Sequence, residues 1–333
     1  MKKSLIALAA LGAFAGAANA QSSVTIYGFI DQMVTKPYAV EDKRVEDGAF
    51  YGGGSRLGFR GVEDLGGGYK ATFGIEHRLS ADVGADSTTT NANPADDKFW
   101  NGYSTVGLVT PFGAINLGRQ YTPAFLMIQN QIDPFGGETV AQGREVGMRF
   151  GVVTAAGTTG SAIYKTRVSD SIRYDLSMGG FNLGASIAEG APNGGEDKPF
   201  SIAANYAAGP FWVGIGYENP AAEEDKGWNV GGRYNFGWAT ASAGYSKGTT
   251  ATGADAKGWI LGATVPFGAF DFKGMYATSD VDGVGETKKA GLGVHYNFSK
   301  RTKVYADVAK IGGSATAALD NKTGYDLGIK HTF

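Results

Sequence analysis

Three histidines, no cysteine and a set of patterned charges are what this sequence offers for chemistry. His77, His295 and His331 lie too far apart to form a metal-ligand spacing, so no metal site is expected. A hydrolase would need a nucleophile, a base and an orienting group on neighbouring elements, and His295 with Ser or Asp neighbours is the sole conceivable seed, so the chain does not read as an enzyme. Gly66-Gly67-Gly68-Tyr69-Lys70 has a surface likeness to a phosphate loop. It lacks the second glycine-lysine spacing and the following helix, and reads as a hairpin turn. No cofactor is expected. What remains is charge on one parity: Arg56, Gly58 and Arg60 alternate with Leu57 and Phe59, and Lys70, Thr72, Gly74 and Glu76 alternate with Tyr69, Ala71, Phe73 and Ile75.

A period of two means strands, because successive side chains then point to opposite faces of a sheet. The rhythm runs through Val24 to Asp31, Ser55 to Gly61, Tyr69 to Glu76, Val106 with Leu108, and Ile115 with Leu117. It resumes at Phe181 to Ala188, Pro199 to Ala207, Phe211 to Glu218, Trp228 to Asn235 and Trp238 to Ser246. Trp259 to Val265, Phe270 to Ala277, Lys289 to Phe298, Thr302 to Lys310 and Thr323 to Phe333 follow, for about sixteen strands in all. Thr110-Pro111-Phe112-Gly113 and Val265-Pro266-Phe267-Gly268 are near copies of one tight turn. Ala81 to Lys98 reads as a polar external loop, and the segment from Tyr121 to Asp170 is too long for a hairpin.

Lys2 and Lys3 precede an apolar run from Leu5 to Phe14 and a small-residue site at Ala18-Asn19-Ala20, so residues 1–20 are expected to be a cleaved signal peptide. Beyond Gln21 no apolar stretch reaches spanning length, so a membrane-resident form would have to be a barrel, residues 21–333 forming one domain. The 53 Gly, 16 Tyr, 19 Phe and 5 Trp suit turns and interfacial girdles, with Tyr69, Trp212, Tyr217, Trp238, Trp259, Tyr296 and Phe333 as candidate belt residues. A mean hydropathy of −0.15 fits a wall apolar outside and polar inside. Loss of Lys2 and Lys3 takes the formal charge from −2 to −4, which argues against a nucleic-acid partner.

The segments Ser22 to Gly28, Ser55 to Gly66, Leu117 to Pro123, Ser299 to Thr302 and Gly328 to Phe333 resemble the trimeric general-diffusion porins of Gram-negative bacteria. The resemblance implies an all-β fold: a transmembrane antiparallel β-barrel of about 16 strands with an inward-folded third loop. It implies a homotrimer in membrane lipid of the outer membrane, passing ions and small hydrophilic solutes. The terminal strand, ending in Phe333, resembles those read by the outer-membrane assembly machinery. In such porins the third loop narrows the lumen, which here places Phe125 to Arg149 there with Asp133, Glu138 and Glu145 as its acidic groups. Arg56, Arg60 and Lys70 on the wall, with Arg119 and Arg167 near the loop's ends, are the expected basic side of a transverse field. The plain alternative is that the arginines satisfy Glu63, Asp64 or Glu76. Family members often carry basic residues just before the strand that holds Val106. Asn101-Gly102-Tyr103 stands there instead, so the sign of any ion preference is left open. A substrate-specific channel on the same wall, and an outer-membrane enzyme or exported all-β binding protein, are the competing readings.

Overall fold

The alternating segments become a closed wall. The computed structural model describes residues 22–38, 42–48, 54–86, 98–151, 153–154, 157–158, 163–189, 198–220 and 224–333. The expected signal peptide and residues 87–97 of the external loop lie outside these. Among the described residues there are sixteen wall strands: β1 (Ser23–Lys36), β2 (Ser55–Gly66), β3 (Tyr69–Ser80), β4 (Tyr103–Thr110), β5 (Gly113–Tyr121), β6 (Arg167–Met178), β7 (Phe181–Ala188) and β8 (Phe200–Ala208). They continue as β9 (Phe211–Asn219), β10 (Lys226–Asn235), β11 (Thr240–Thr249), β12 (Asp255–Phe267), β13 (Phe270–Val281), β14 (Gly285–Asn297), β15 (Thr302–Gly312) and β16 (Thr323–Thr332). Each pairs antiparallel with its neighbour in sequence. The sheet closes where β1 meets β16, from Phe29 opposite Thr332 to Lys36 opposite Tyr325. Closure leaves no open edge, as hydrocarbon surroundings require.

The two parities separate as the alternation demands. On β16, Tyr325, Leu327 and Ile329 are exposed while Gly324, Asp326 and Gly328 are buried. Leu261 and Leu292 are likewise turned out. An outer surface of this kind is stable against lipid, not water. Tyr69, Tyr217, Trp238, Trp259 and Phe333 are exposed on it, and Tyr296 packs on Phe270 with ring centroids 4.8 Å apart. Trp212 departs from the expected belt. It shares the inward parity of Gly214 and Gly216, is buried, and lies beneath the guanidinium of Arg233 at 4.8 Å. The Phe333 amide donates to Gly28 O at 3.0 Å and the Gly28 amide to Phe333 O at 3.2 Å, which seals the seam.

Strand β6 is one the periodicity did not delimit. Val168 faces Gln120 but Ser171 faces Gly118, so one extra residue is inserted, and Asp170 takes φ 51°. Such a bulge breaks the alternation at the point where sequence alone ends the loop.

Candidate functional site in the barrel lumen

The segment after Tyr121 folds inward instead of capping the barrel. A wide helical turn at Phe125–Gln129 runs into a second turn at Asn130–Ile132, and a third follows at Arg144–Gly147. Apolar side chains on one side of this loop, Ile128, Ile132, Phe135, Val140, Val146 and Met148, are buried with wall residues Ile260, Met275, Ala277 and Tyr305. Burying each such side chain is worth roughly 1.5–3 kcal/mol, which fixes the loop against the wall. Glycines of inward parity make the room. A Cβ at Gly214 would stand 2.5 Å from Ile128 Cδ1, at Gly262 2.7 Å from Pro134 Cδ, and at Gly324 2.7 Å from Val140 Cγ2. Polar ties complete the attachment: the Ala124 amide donates to Ser201 Oγ at 3.1 Å, Ser242 Oγ to Ile132 O at 2.6 Å, and Lys273 Nζ to Pro134 O at 2.8 Å. The Val140 and Lys165 amides donate to Asp326 and Glu218 at 2.7 and 2.6 Å.

With the loop held by β8 to β16, its free face looks toward β1, β2, β3 and β6. Arg56 and Arg78 are direct cross-strand partners there. Arg56 stacks over Phe29 at 4.2 Å, and Arg78 Nε bonds Glu76 Oε1 at 2.8 Å. Arg78 and Arg167 both donate to the Tyr121 hydroxyl, the latter at 2.6 Å while lying 4.3 Å over the same ring. Arg60 sits 5.1 Å over Tyr27, whose hydroxyl donates to Glu76 Oε2 at 3.2 Å and meets the Tyr103 hydroxyl. Lys303 and Lys330 are a second like-charged cross-strand pair. Lys330 rests 3.6 Å over the Phe29 ring.

The acidic groups of the loop are distributed differently from the expected opposed row. Glu138 alone of the three reaches the wall, bonding Lys330 at 2.6 Å and standing 4.0 Å from Lys303. Burial pushes its carboxyl up, but the two lysines outweigh this and hold it at about 2. Glu145 is enclosed by the loop's own Arg144 and Arg149 at 2.8 and 3.0 Å. Burial again opposes ionisation, and Arg149 and then Arg144 bring its carboxyl below the usual range. Asp133 is turned inward to the loop backbone, accepting from the amides of Phe135, Gly143 and Arg144 at 2.9, 2.9 and 3.0 Å.

Of the basic residues expected, Arg56, Arg60 and Arg167 are brought together. Lys70 is not: it is exposed at the short-turn end of β3 and pairs in register with Asp64. Arg119 is at the opposite rim, donating to Asn101 O at 3.2 Å and Ser169 Oγ at 3.0 Å. Arg78, Arg144, Lys303 and Lys330 also join the site. Parity was the available signal, since Lys330 shares the inward parity of Gly328 and Asp326, and Arg78 that of Glu76. Among the described residues no cluster of His, Asp and Glu could hold a metal ion. His295 is buried and bonds Asp307 at 3.1 Å.

The Gram-negative porin family model matches residues 7–316. Outer membrane porin protein 32 of Delftia acidovorans is 33% identical over 369 residues, with all of both chains covered. An outer membrane porin protein of Bordetella pertussis is 27% identical over 406 residues, again with full coverage of both. Among solved structures, an anion-selective porin from Comamonas acidovorans superposes with a TM-score of 0.74 at 26% identity, covering 94% of this chain and 100% of that one.

Proposed function

Because this chain belongs to the Gram-negative porin family and is an outer-membrane β-barrel channel, we propose that it passes small hydrophilic solutes and ions by passive diffusion through a loop-narrowed constriction that favours anions. The observation that carries this reading is the pair of like-charged cross-strand contacts facing the lumen, Arg56 with Arg78 and Lys303 with Lys330. Like charges directly opposite one another destabilise a sheet, so nothing in wall stability favours them. Glu76 and Glu138 neutralise them in part, and the loop adds Arg144 and Arg149 against Glu145. The surplus is positive. In a water-filled neck with low-dielectric walls, such a surplus concentrates anions and repels cations.

The anion selectivity ascribed to the Comamonas acidovorans porin supports the same sign. The missing basic residues at Asn101-Gly102-Tyr103 are offset by cations from other strands. The functional unit is a homotrimer in lipid, and the terminal strand ending in Phe333 is what the outer-membrane assembly machinery reads, as in the porins it resembles. The test is the zero-current potential of purified channels across a tenfold KCl gradient in a planar bilayer. A potential of the anion-preferring sign supports the reading, and one of the cation-preferring sign overturns it.

A further inference from the structure

A hollow of about 310 Å³ opens beneath the start of the inward loop, on the short-turn side of the cationic zone. Its lining is of a different kind from the constriction. Three inward side chains on β6, β7 and β8 form a hydrogen-bonded row. Ser177 Oγ donates to Asn182 Oδ1 at 2.7 Å, and Asn182 Nδ2 donates to Asn205 Oδ1 at 2.9 Å. All donors in the row point one way, so it ends in the free amide donors of Asn205 and, at its other end, in the acceptor lone pairs of Ser177.

Beside it, Arg173 directs Nε and Nη2 to the same oxygen of Asp175, at 3.0 and 2.6 Å. The second Asp175 oxygen takes no hydrogen bond among the described residues, and the pair is neutral overall. From the loop, Gln131 donates to Leu126 O at 3.1 Å, which leaves its carbonyl as an acceptor. Trp212 and Met127 supply an apolar floor.

We propose that this hollow is a transient subsite for neutral polyhydroxylated solutes of about monosaccharide size. Alternating donors and acceptors with no net charge match hydroxyl groups, each of which both gives and takes a hydrogen bond. An apolar floor suits the C–H face of a sugar ring. The lining itself offers an anion little, because the Arg173 guanidinium is committed to Asp175 and to Tyr121 O at 3.0 Å, and Arg233, stacked on Trp212, is not part of the lining. The volume falls at the lower end of small-molecule sites, consistent with brief residence. The site gives uncharged solutes a foothold that the charged neck does not, and it needs an open lumen but not the anion preference.

The experiment is current-noise analysis on reconstituted wild-type channels with D-glucose added on either side, against poly(ethylene glycol) of similar mass. Glucose should add a saturable noise component that the polymer lacks, stronger from the short-turn side. Asn205→Ala should raise the half-saturating glucose concentration about fivefold, as expected for one lost neutral hydrogen bond, with single-channel conductance and zero-current potential unchanged. Ser177→Ala, a smaller change, serves as the second variant should the first fail to assemble. Absence of excess glucose noise in the wild type overturns the proposal, as does saturable noise that neither variant alters. A cation-preferring zero-current potential with the glucose noise intact would remove the anion reading and leave this one standing.

Discussion

Replacing Arg56 by alanine removes one of the cations facing the loop while leaving its cross-strand partner Arg78 paired with Glu76. A unit charge about 5 Å from the ion path is worth about 0.8 kcal/mol in water, and screening at 0.1 M salt leaves about 0.5 kcal/mol. The term has opposite signs for anions and cations, so their permeability ratio should fall about fivefold. At 1 M salt, where the screening length is about 3 Å, the same substitution should change the ratio by less than about twofold. Zero-current potentials of Arg56→Ala and Arg56→Lys channels, measured at both ionic strengths, provide the assay. Arg56→Lys keeps the charge but loses the flat stacking on Phe29, and should stay near wild type. An Arg56→Ala channel that matches wild type at low salt would take Arg56 out of the neck. An equal fall in Arg56→Lys would show that packing on Phe29, not charge, sets the preference.

Further outcomes follow from the loop's attachment. The Glu138 carboxyl is held at about 2, below its ordinary 4.5. Its stabilising contribution is therefore complete above pH 4.5 and is lost as pH falls through the folded value, with an upper bound of about 3 kcal/mol. The gap in thermal transition between wild type and Glu138→Gln should be constant from pH 7 to 4.5 and close toward pH 2; a gap unchanged at pH 2 would count against the Lys330 and Lys303 contacts. Glu138→Gln should also strengthen anion preference at neutral pH, read as zero-current potential. Gly262→Val places a side chain where Pro134 already sits, 2.7 Å from an ideal Cβ. It should cost about 1–3 kcal/mol and produce closures absent from wild-type single-channel records.

The wall was legible because strand alternation is a local constraint: burying one parity and exposing the other to lipid writes itself into every ten residues. It failed where a local rule was broken. The inserted residue at Asp170 interrupts the alternation, so β6 merged with the loop in sequence. Trp212 looks like any interfacial tryptophan until its parity is compared with Gly214 and Gly216, and the indole instead packs inside beneath Arg233. The site was less legible, because parity tells that a side chain faces the lumen but not at what height. Height depends on register carried from strand to strand. It brings Arg78 level with Arg56 and Lys303 level with Lys330, and leaves Lys70 at the short-turn end. Asp133 is different. Its bond to the Phe135 amide two residues on is an Asx turn, a pattern that Asp-Pro-Phe-Gly carries in sequence.

Glycine connects these two scales. In composition the 53 glycines suggest turns, and several do take positive φ there, as Gly179 and Gly180 do at 58° and 85°. A second set lies in strand interiors on the inward face, where glycine weakens a strand and usually marks the close approach of another backbone. Gly214, Gly231, Gly244, Gly262, Gly291 and Gly324 follow one another around the wall from β9 to β16, and each would collide with the loop if it carried a Cβ. These strands give up side chains so that the loop can lie flat against them. The opposite wall, from β1 to β3 with β6, keeps its arginines and aromatic rings. The loop's position and the clustering of arginine on the facing wall are thus set by the same pattern, while Lys303 and Lys330 of β15 and β16 meet the loop through Glu138. Moving the loop across the lumen would set it against the large side chains of Tyr27, Phe29 and Arg56, which already pack there.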